Sequence, residues 1–236
     1  MKYMGSKNRH AKELLPIILR DHREGMWYIE PFVGGGNMID KVDFSNRIGC
    51  DSNPYVIQAL ESIRDDLNLL PKNNSEFTED DYKRLRNSDS YPFKGYAGFA
   101  FSYSGKWLGG WCRDKEGKRD YVRESYSNAQ KQSPYLQGIK FIHKNVFDIK
   151  EIKGKATIYC DPPYRGTTKY KDGFDHDRFW DWVRFQSKQG HSVFVSEYTA
   201  PEDFECLWSK EVNNSLTKDT GSKKGVEKLF KMKTGE

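Results

Sequence analysis

The sequence predicts an α/β protein: a doubly wound, mostly parallel sheet carrying one inserted subdomain. Three observations point there. Short apolar runs at residues 27–33, 47–51, 139–143, 156–160 and 192–198 have the length and composition of buried strands. Apolar residues at helical spacing alternate with several of those runs, as a layered α/β fold requires. Between about residues 65 and 137 the rhythm breaks, and the 236-residue chain is long enough for one full domain plus a small insertion.

Taken in order, Ala11, Leu14, Leu15 and Ile18 follow helical spacing. Pro16 inside that pattern predicts a kink or two short pieces, because proline removes a backbone donor and crowds the preceding turn. Residues 27–33 form a strand that ends in glycines, where a helix can begin. A polar turn leads to the strand 47–51. Asn53 reads as an N-cap and Pro54 as the first helical residue, with Val56, Ile57, Leu60 and Ile63 on the buried face. Residues 71–76 are loop-like. Thr78, with Asp81 three residues on, resembles a capping box that opens a short charged helix. Residues 96–123 are rich in glycine, aromatic and basic side chains. There Phe99, Phe101 and Tyr103 alternate as in a strand, while Tyr96, Ala100 and Tyr103 also fit a helix, and both readings stand. The sheet pattern then returns, with an aromatic-rich helix over 175–187 that sets Phe179 and Val183 on one face, and a closing strand over 226–232. Residues 1–64 and 138–236 are therefore assigned to one domain and 65–137 to an inserted subdomain.

Composition narrows the function classes. Charged residues make up 31% of the chain, and no run of eighteen apolar residues exists, which argues against a spanning helix. The N-terminus lacks the apolar core of a secretory signal. Cys50, Cys112, Cys160 and Cys206 are far apart and form no C-x-x-C, which speaks against a disulfide framework or a zinc site and for reduced thiols in the cytoplasm. No metal is expected. The net charge of +5 permits a polyanionic partner without demanding one.

Two motifs carry chemistry. The first, Glu30-Pro31-Phe32-Val33-Gly34-Gly35-Gly36-Asn37, sits where a strand ends, and its glycines let a backbone approach a ligand closely. Asp51, about 20 residues beyond the start of that turn, ends the next strand, where an acid can accept from ribose hydroxyls. There is no G-x-G-x-x-G and no G-K-[ST], so dinucleotide and P-loop readings lose ground. The second motif, Asp161-Pro162-Pro163-Tyr164, follows an apolar strand and so lies at the ligand edge of the sheet. Asp161 and the Pro162 carbonyl are two acceptors suited to the hydrogens of a flat exocyclic amine, whose lone pair is otherwise delocalised into its ring. The prolines stiffen the loop that aims them, and Tyr164 can stack on the base. Alignment of such an amine with a methyl sulfonium needs no acid catalysis, only positioning.

The order Tyr3-Met4-Gly5-Ser6-Lys7, then Pro31-Phe32-Val33-Gly34-Gly35-Gly36, then Asp161-Pro162-Pro163-Tyr164 resembles the Dam-type, alpha-group DNA adenine-N6 methyltransferases. The resemblance implies a Rossmann-like methyltransferase sheet, S-adenosyl-L-methionine as cofactor and double-stranded DNA as partner, with the target adenine flipped out of the duplex. It implies a bacterial or phage enzyme, orphan or part of a restriction-modification pair. By the family's pattern Tyr3, Met4, Gly5 and Lys7 bind the cofactor. Glu30, Phe32, Gly34, Gly36 and Asn37 line it, Asp51 takes its ribose, and Asp161 is the catalytic acid beside its methionine end. Phe147, in Asn145-Val146-Phe147-Asp148 after a strand, is placed on the cofactor adenine.

The insertion matches the family's DNA-recognition region in position. Gly110-Trp111-Cys112-Arg113 is similar to a stretch whose arginine reads a base, but Gly109 and Trp111 depart from it, so a GATC target is not implied. Lys106, Arg113, Lys115, Lys118, Arg119, Arg123 and Lys131 outnumber the four acids among them, which suits phosphates. Trp107 and Trp111 are candidates to wedge near a flipped base, and Tyr170, in the loop after the second motif, to touch DNA. The basic turn 218–224 is a weaker phosphate candidate. The acceptor pair alone does not choose the base: N4-cytosine in DNA, N6-adenine in RNA and a non-catalytic DNA-binding relative are the alternatives.

Overall fold

The computed structural model describes residues 1–88, 91–114, 116–165, 173–213 and 224–233. Seven strands are described: β1 (Trp27–Glu30), β2 (Arg47–Asp51), β3 (Lys140–His143), β4 (Ala156–Cys160), β5 (Ser192–Glu197), β6 (Phe204–Asn213) and β7 (Lys224–Met232). They form one sheet in the order β3-β2-β1-β4-β5-β7-β6. The first five are parallel, and β7 runs antiparallel to both neighbours. Strand order reverses between β1 and β4, so a crevice opens beyond their carboxyl ends, the usual ligand position in such sheets.

Among the described residues the helices are α1 (Ala11–Ile18), α2 (Pro54–Asp65), α3 (Glu79–Leu85), α4 (Lys94–Ala100), α5 (Tyr121–Leu136) and α6 (His176–Lys188). One apolar layer joins Tyr28, Tyr159, Phe194 and Leu229 of the sheet to α1, α2, α4 and α5. The other joins Ile29, Ile158, Val193 and Val195 to Phe179 and Val183 of α6. Strands buried on both faces need no polar alternation, which explains the continuous apolar runs.

Local signals set most boundaries. The Asn53 side chain accepts from Tyr55 N at 3.0 Å with Pro54 behind it, and Thr78 and Asp81 form a reciprocal capping box. Four features differ from the sequence expectation. α1 runs unbroken through Pro16, because Ala11, Leu14, Leu15 and Ile18 are all buried along one stripe. The first crossover, after the glycines, holds only a 3-10 turn at Ile39–Lys41. Residues 96–112 resolve their two readings in sequence: helix up to Ala100, then a tight loop closed by the Ser102–Trp111 bridge. The strand β6 pairs with β7 in a long hairpin with an irregularity at Cys206/Trp208. As an edge strand it carries charged side chains and lacks a core-strand signature.

Within 65–137, α4 and α5 are part of the sheet-covering layer. Gly95 permits the close approach of α4 to α2: a Cβ there would lie 2.3 Å from the Tyr55 carbonyl oxygen. α5 is capped by Asp120, which accepts from Arg123 N at 2.8 Å, and it buries Val122, Ala129 and Leu136.

Candidate active site

Every residue of β4 is buried, and the chain turns at Asp161 as it leaves the sheet. Pro162 is buried and Asp161, Pro163 and Tyr164 are half-buried. The turn is tied to β5 by Glu197, whose carboxylate accepts from Arg165 N at 3.1 Å and Tyr198 N at 2.7 Å. The Tyr164 ring meets the Tyr198 ring edge-on, with centroids 4.7 Å apart.

Lys7 reaches this turn from the other end of the sequence. It opens a 3-10 turn, Lys7–Arg9, capped by the Ser6 hydroxyl. Its Nζ lies 3.1 Å from Asp161 Oδ1, 3.8 Å from Glu227 Oε1 and 4.7 Å above the Tyr164 ring. Burial pushes the Asp161 carboxyl up, and the Lys7 charge pulls it only part of the way back. For Lys7, burial alone favours the neutral amine, but Asp161 and Glu227 outweigh it and raise its pKa above the ordinary lysine value. Removing one partner of a pair this buried costs about 3–5 kcal/mol, because the other charge is stranded.

The glycine turn is packed beneath the first residues of the chain. A Cβ on Gly34 would stand 2.8 Å from the Tyr3 ring, and one on Gly35 would stand 2.8 Å from the Met1 carbonyl oxygen. Asn37 Nδ2 donates to Met1 O and to Ser6 Oγ, each at 2.9 Å. Gln132 of α5 donates to Gly35 O at 3.0 Å and to Asp40 Oδ2 at 2.9 Å. Gly34 and Gly36 both take positive φ, which only glycine adopts without strain. The close approach at Gly34 and Gly35 is therefore made by the protein's own N-terminal segment. That segment also meets the insertion: Met4 N donates to Gly105 O at 3.2 Å, and Tyr3 packs on Phe99. Gly5 stands at positive φ between them.

Asp51, at the end of β2, accepts from Gly34 N at 3.1 Å and Asn53 N at 2.9 Å. Burial lifts its carboxyl to about 6 in spite of those donors. Phe32 lies edge-on to Phe174 and Phe179, and Phe147 stacks on Phe174, with the Arg178 guanidinium 4.3 Å from its ring. Glu30 is buried and accepts from Tyr28 Oη at 2.8 Å, and burial pushes its carboxyl well up.

Most of the insertion's DNA-contact candidates have partners of their own. Trp107 stacks on Tyr55 at 4.3 Å and covers Gly98, and Trp111 packs against Tyr82 and Phe101. Lys106 is exposed. Arg113 is paired with Glu79, Arg119 with Glu124 and Arg123 with Asp120, all on the surface. Lys115 and Tyr170, and nearly all of the basic turn 218–224, fall outside the described residues. Sequence reading missed Gln132, Glu197, Tyr198 and Glu227. The one usable signal was alternation in the last strand, which puts Glu227 on the side of buried Leu229.

Among the described residues no group of three His, Cys, Asp or Glu could hold a metal ion. No described helix is long and apolar enough to cross a membrane. A groove of about 270 Å³ opens on the sheet face that carries Ile29, Ile48 and Cys50.

Asp51, Asp161 and the buried Lys7 thus stand at the carboxyl edge of an α/β sheet, the edge where such folds carry nucleoside cofactors. Residues 3–96 match the family described as D12 class N6 adenine-specific DNA methyltransferase. Three relatives are each 26% identical to the chain. They are the type II methyltransferase M.FokI of Planomicrobium okeanokoites, the type II methyltransferase M.MjaIII of Methanocaldococcus jannaschii and a DNA adenine methylase of Vibrio cholerae. The matches cover 79%, 72% and 70% of this chain, and 32%, 70% and 64% of those proteins. The chain thus spans about a third of the length of M.FokI and about two thirds of the other two. Residues 3–96 thus resemble the D12 class, and the DPPY turn follows at the end of β4.

The packing of Trp107 yields a test. Trp107→Ala removes the cover of Gly98 and the partner of Tyr55, and is expected to cost about 2–4 kcal/mol. A melting experiment reads this as a drop of several degrees. An unchanged melting temperature with weakened DNA binding assigns Trp107 to the DNA surface instead.

Proposed function

We propose that the chain transfers a methyl group from S-adenosylmethionine to the N6 amine of an adenine rotated out of double-stranded DNA. The observation that carries this reading is the half-buried Asp161 carboxylate at the switch point, held by Lys7 and followed directly by Pro162. The side chains at this edge fit such a donor. Asp51 offers an acceptor for ribose hydroxyls, Phe32 and Phe147 offer apolar ring faces, and the acid-rich surroundings of Lys7 suit a cation. When bound, S-adenosylmethionine supplies a methyl group on a sulfonium that leaves as a neutral thioether.

The chain's own residues supply positioning. Asp161 and the Pro162 carbonyl accept the two amine hydrogens, which draws the nitrogen toward a pyramidal shape and frees its lone pair. Proline rings at 162 and 163 restrict the loop, so the acceptors cost little reorganisation at the moment of attack. Tyr164, braced by Tyr198 and Lys7, stacks on the base. The proton that the methylated amine must lose would pass to Asp161 and from there to water. Rotation of the base out of the duplex is required because the amine is otherwise out of reach. Lys106, Arg113, Arg119, Arg123 and Lys115 are assigned to DNA. The surface ion pairs of three of them are weak enough to be exchanged for phosphates or a base edge. Tyr170 is kept as a contact to the target strand. By its resemblance to that family the chain is assigned to a bacterial or phage-infected cytoplasm.

Two predictions test the reading. Incubation with labelled donor and duplex DNA, followed by nucleoside analysis, is expected to yield N6-methyladenine. Asp161→Ala is expected to lower turnover by roughly 100-fold or more. Recovery of N4-methylcytosine alone, or unchanged turnover in the variant, contradicts the assignment. The second concerns pH. Asp51 titrates at about 6, so it is an anion above that pH and a weaker acceptor below it. Calorimetric affinity for S-adenosylmethionine is therefore expected to be constant above about pH 7 and to fall as pH drops through 6, and Asp51→Asn should lack that limb. The same acid limb in Asp51→Asn removes Asp51 from the ribose site.

A further inference from the structure

Glu227 belongs to no motif, yet it closes the cluster around Lys7. It stands on β7, half-buried, with Oε1 3.8 Å from Lys7 Nζ and Oε2 3.9 Å from His10 Nε2. Among the described residues Oε2 has no hydrogen-bond donor. Lys7 therefore sits between two carboxylates, Asp161 at 3.1 Å and Glu227 at 3.8 Å, with only 7% of its side chain exposed. One lysine cannot neutralise both: with both acids ionised the trio carries one net negative charge. Glu30, within electrostatic reach of Asp161, is pushed well up by burial. Among the described residues His10 also borders the trio, and its ring packs on Trp208 at 5.6 Å.

A surplus negative charge in a poorly hydrated cluster is costly unless a cation arrives to offset it. The Asp161–Lys7 pair alone is neutral, so the surplus comes from Glu227. We propose that Glu227 is a positioning and selectivity residue: it holds Lys7 against Asp161 and gives the crevice the net charge that distinguishes a sulfonium from a thioether. This rests on the cofactor reading above. It accounts for both halves of a catalytic cycle. The charged donor is held by the surplus charge, and the neutral product left after methyl transfer loses that attraction.

The test is binding, not turnover. Affinities for S-adenosylmethionine and S-adenosylhomocysteine are measured by calorimetry at pH 8, above the ordinary imidazole range. Glu227→Gln keeps the size and removes the charge. It is expected to weaken S-adenosylmethionine roughly five- to tenfold, while S-adenosylhomocysteine changes less than about twofold. Glu227→Asp, which restores the charge, should recover most of the difference. Should the Gln variant fail to fold, Glu227→Met, also neutral and of similar length, repeats the comparison. Equal loss of both ligands makes Glu227 a packing residue and overturns the proposal, as does no change in either. A wild-type chain that binds neither ligand overturns the cofactor reading itself, and the proposal with it; binding of both with an unaltered ratio overturns the proposal alone.

Discussion

The ion pair between Lys7 and Asp161 joins the start of the chain to the carboxyl end of β4, 154 positions later in the sequence. Much else at this edge depends on it. To bring Lys7 there, residues 1–7 must lie across the turn after β1, and that turn must be bare. Gly34 and Gly35 are bare because Tyr3 and Met1 occupy the space that side chains would fill. Asn37 and Gln132 then bind the turn to the N-terminal segment and to α5. The crevice is thus assembled from β1, β4, the N-terminal segment and the helical layer at once.

Electrostatics follow from the same construction. Five acids, Glu30, Asp51, Asp161, Glu197 and Glu227, crowd the carboxyl edge of the sheet around one buried lysine. Burial pushes the first four upward. Their partners differ: Glu30 accepts from the Tyr28 hydroxyl, while Asp51 and Glu197 accept backbone amides. Asp161 and Glu227 share Lys7. The acids around Lys7 make that part of the edge a poor place for an anion and a suitable one for a positively charged ligand.

The core strands were legible because they are buried on both faces, and the placement of Asp51 and Asp161 at strand ends followed from the apolar runs before them. Other parts were hidden for physical reasons. β6 is an edge strand with one charged face, so its alternation of Phe204, Cys206 and Trp208 was diluted. α5 buries a narrow stripe and contains Pro134, which masks its period. The glycines at 34–36 announced a close approach, but nothing local said that Tyr3 and Met1 make it. Glu227 and Gln132 act across more than ninety residues of sequence, and a single chain carries no local sign of such contacts.

The most direct test of the central claim, that the edge around Lys7 and Asp161 is the donor site, is a crystal structure of the chain with S-adenosylhomocysteine. The account predicts the ribose on Asp51, the sulfur beside Asp161 and Lys7, and the N-terminal segment still closed over Gly34. A ligand seated instead in the groove over Ile29, Ile48 and Cys50, with the Lys7–Asp161 edge untouched, would contradict it.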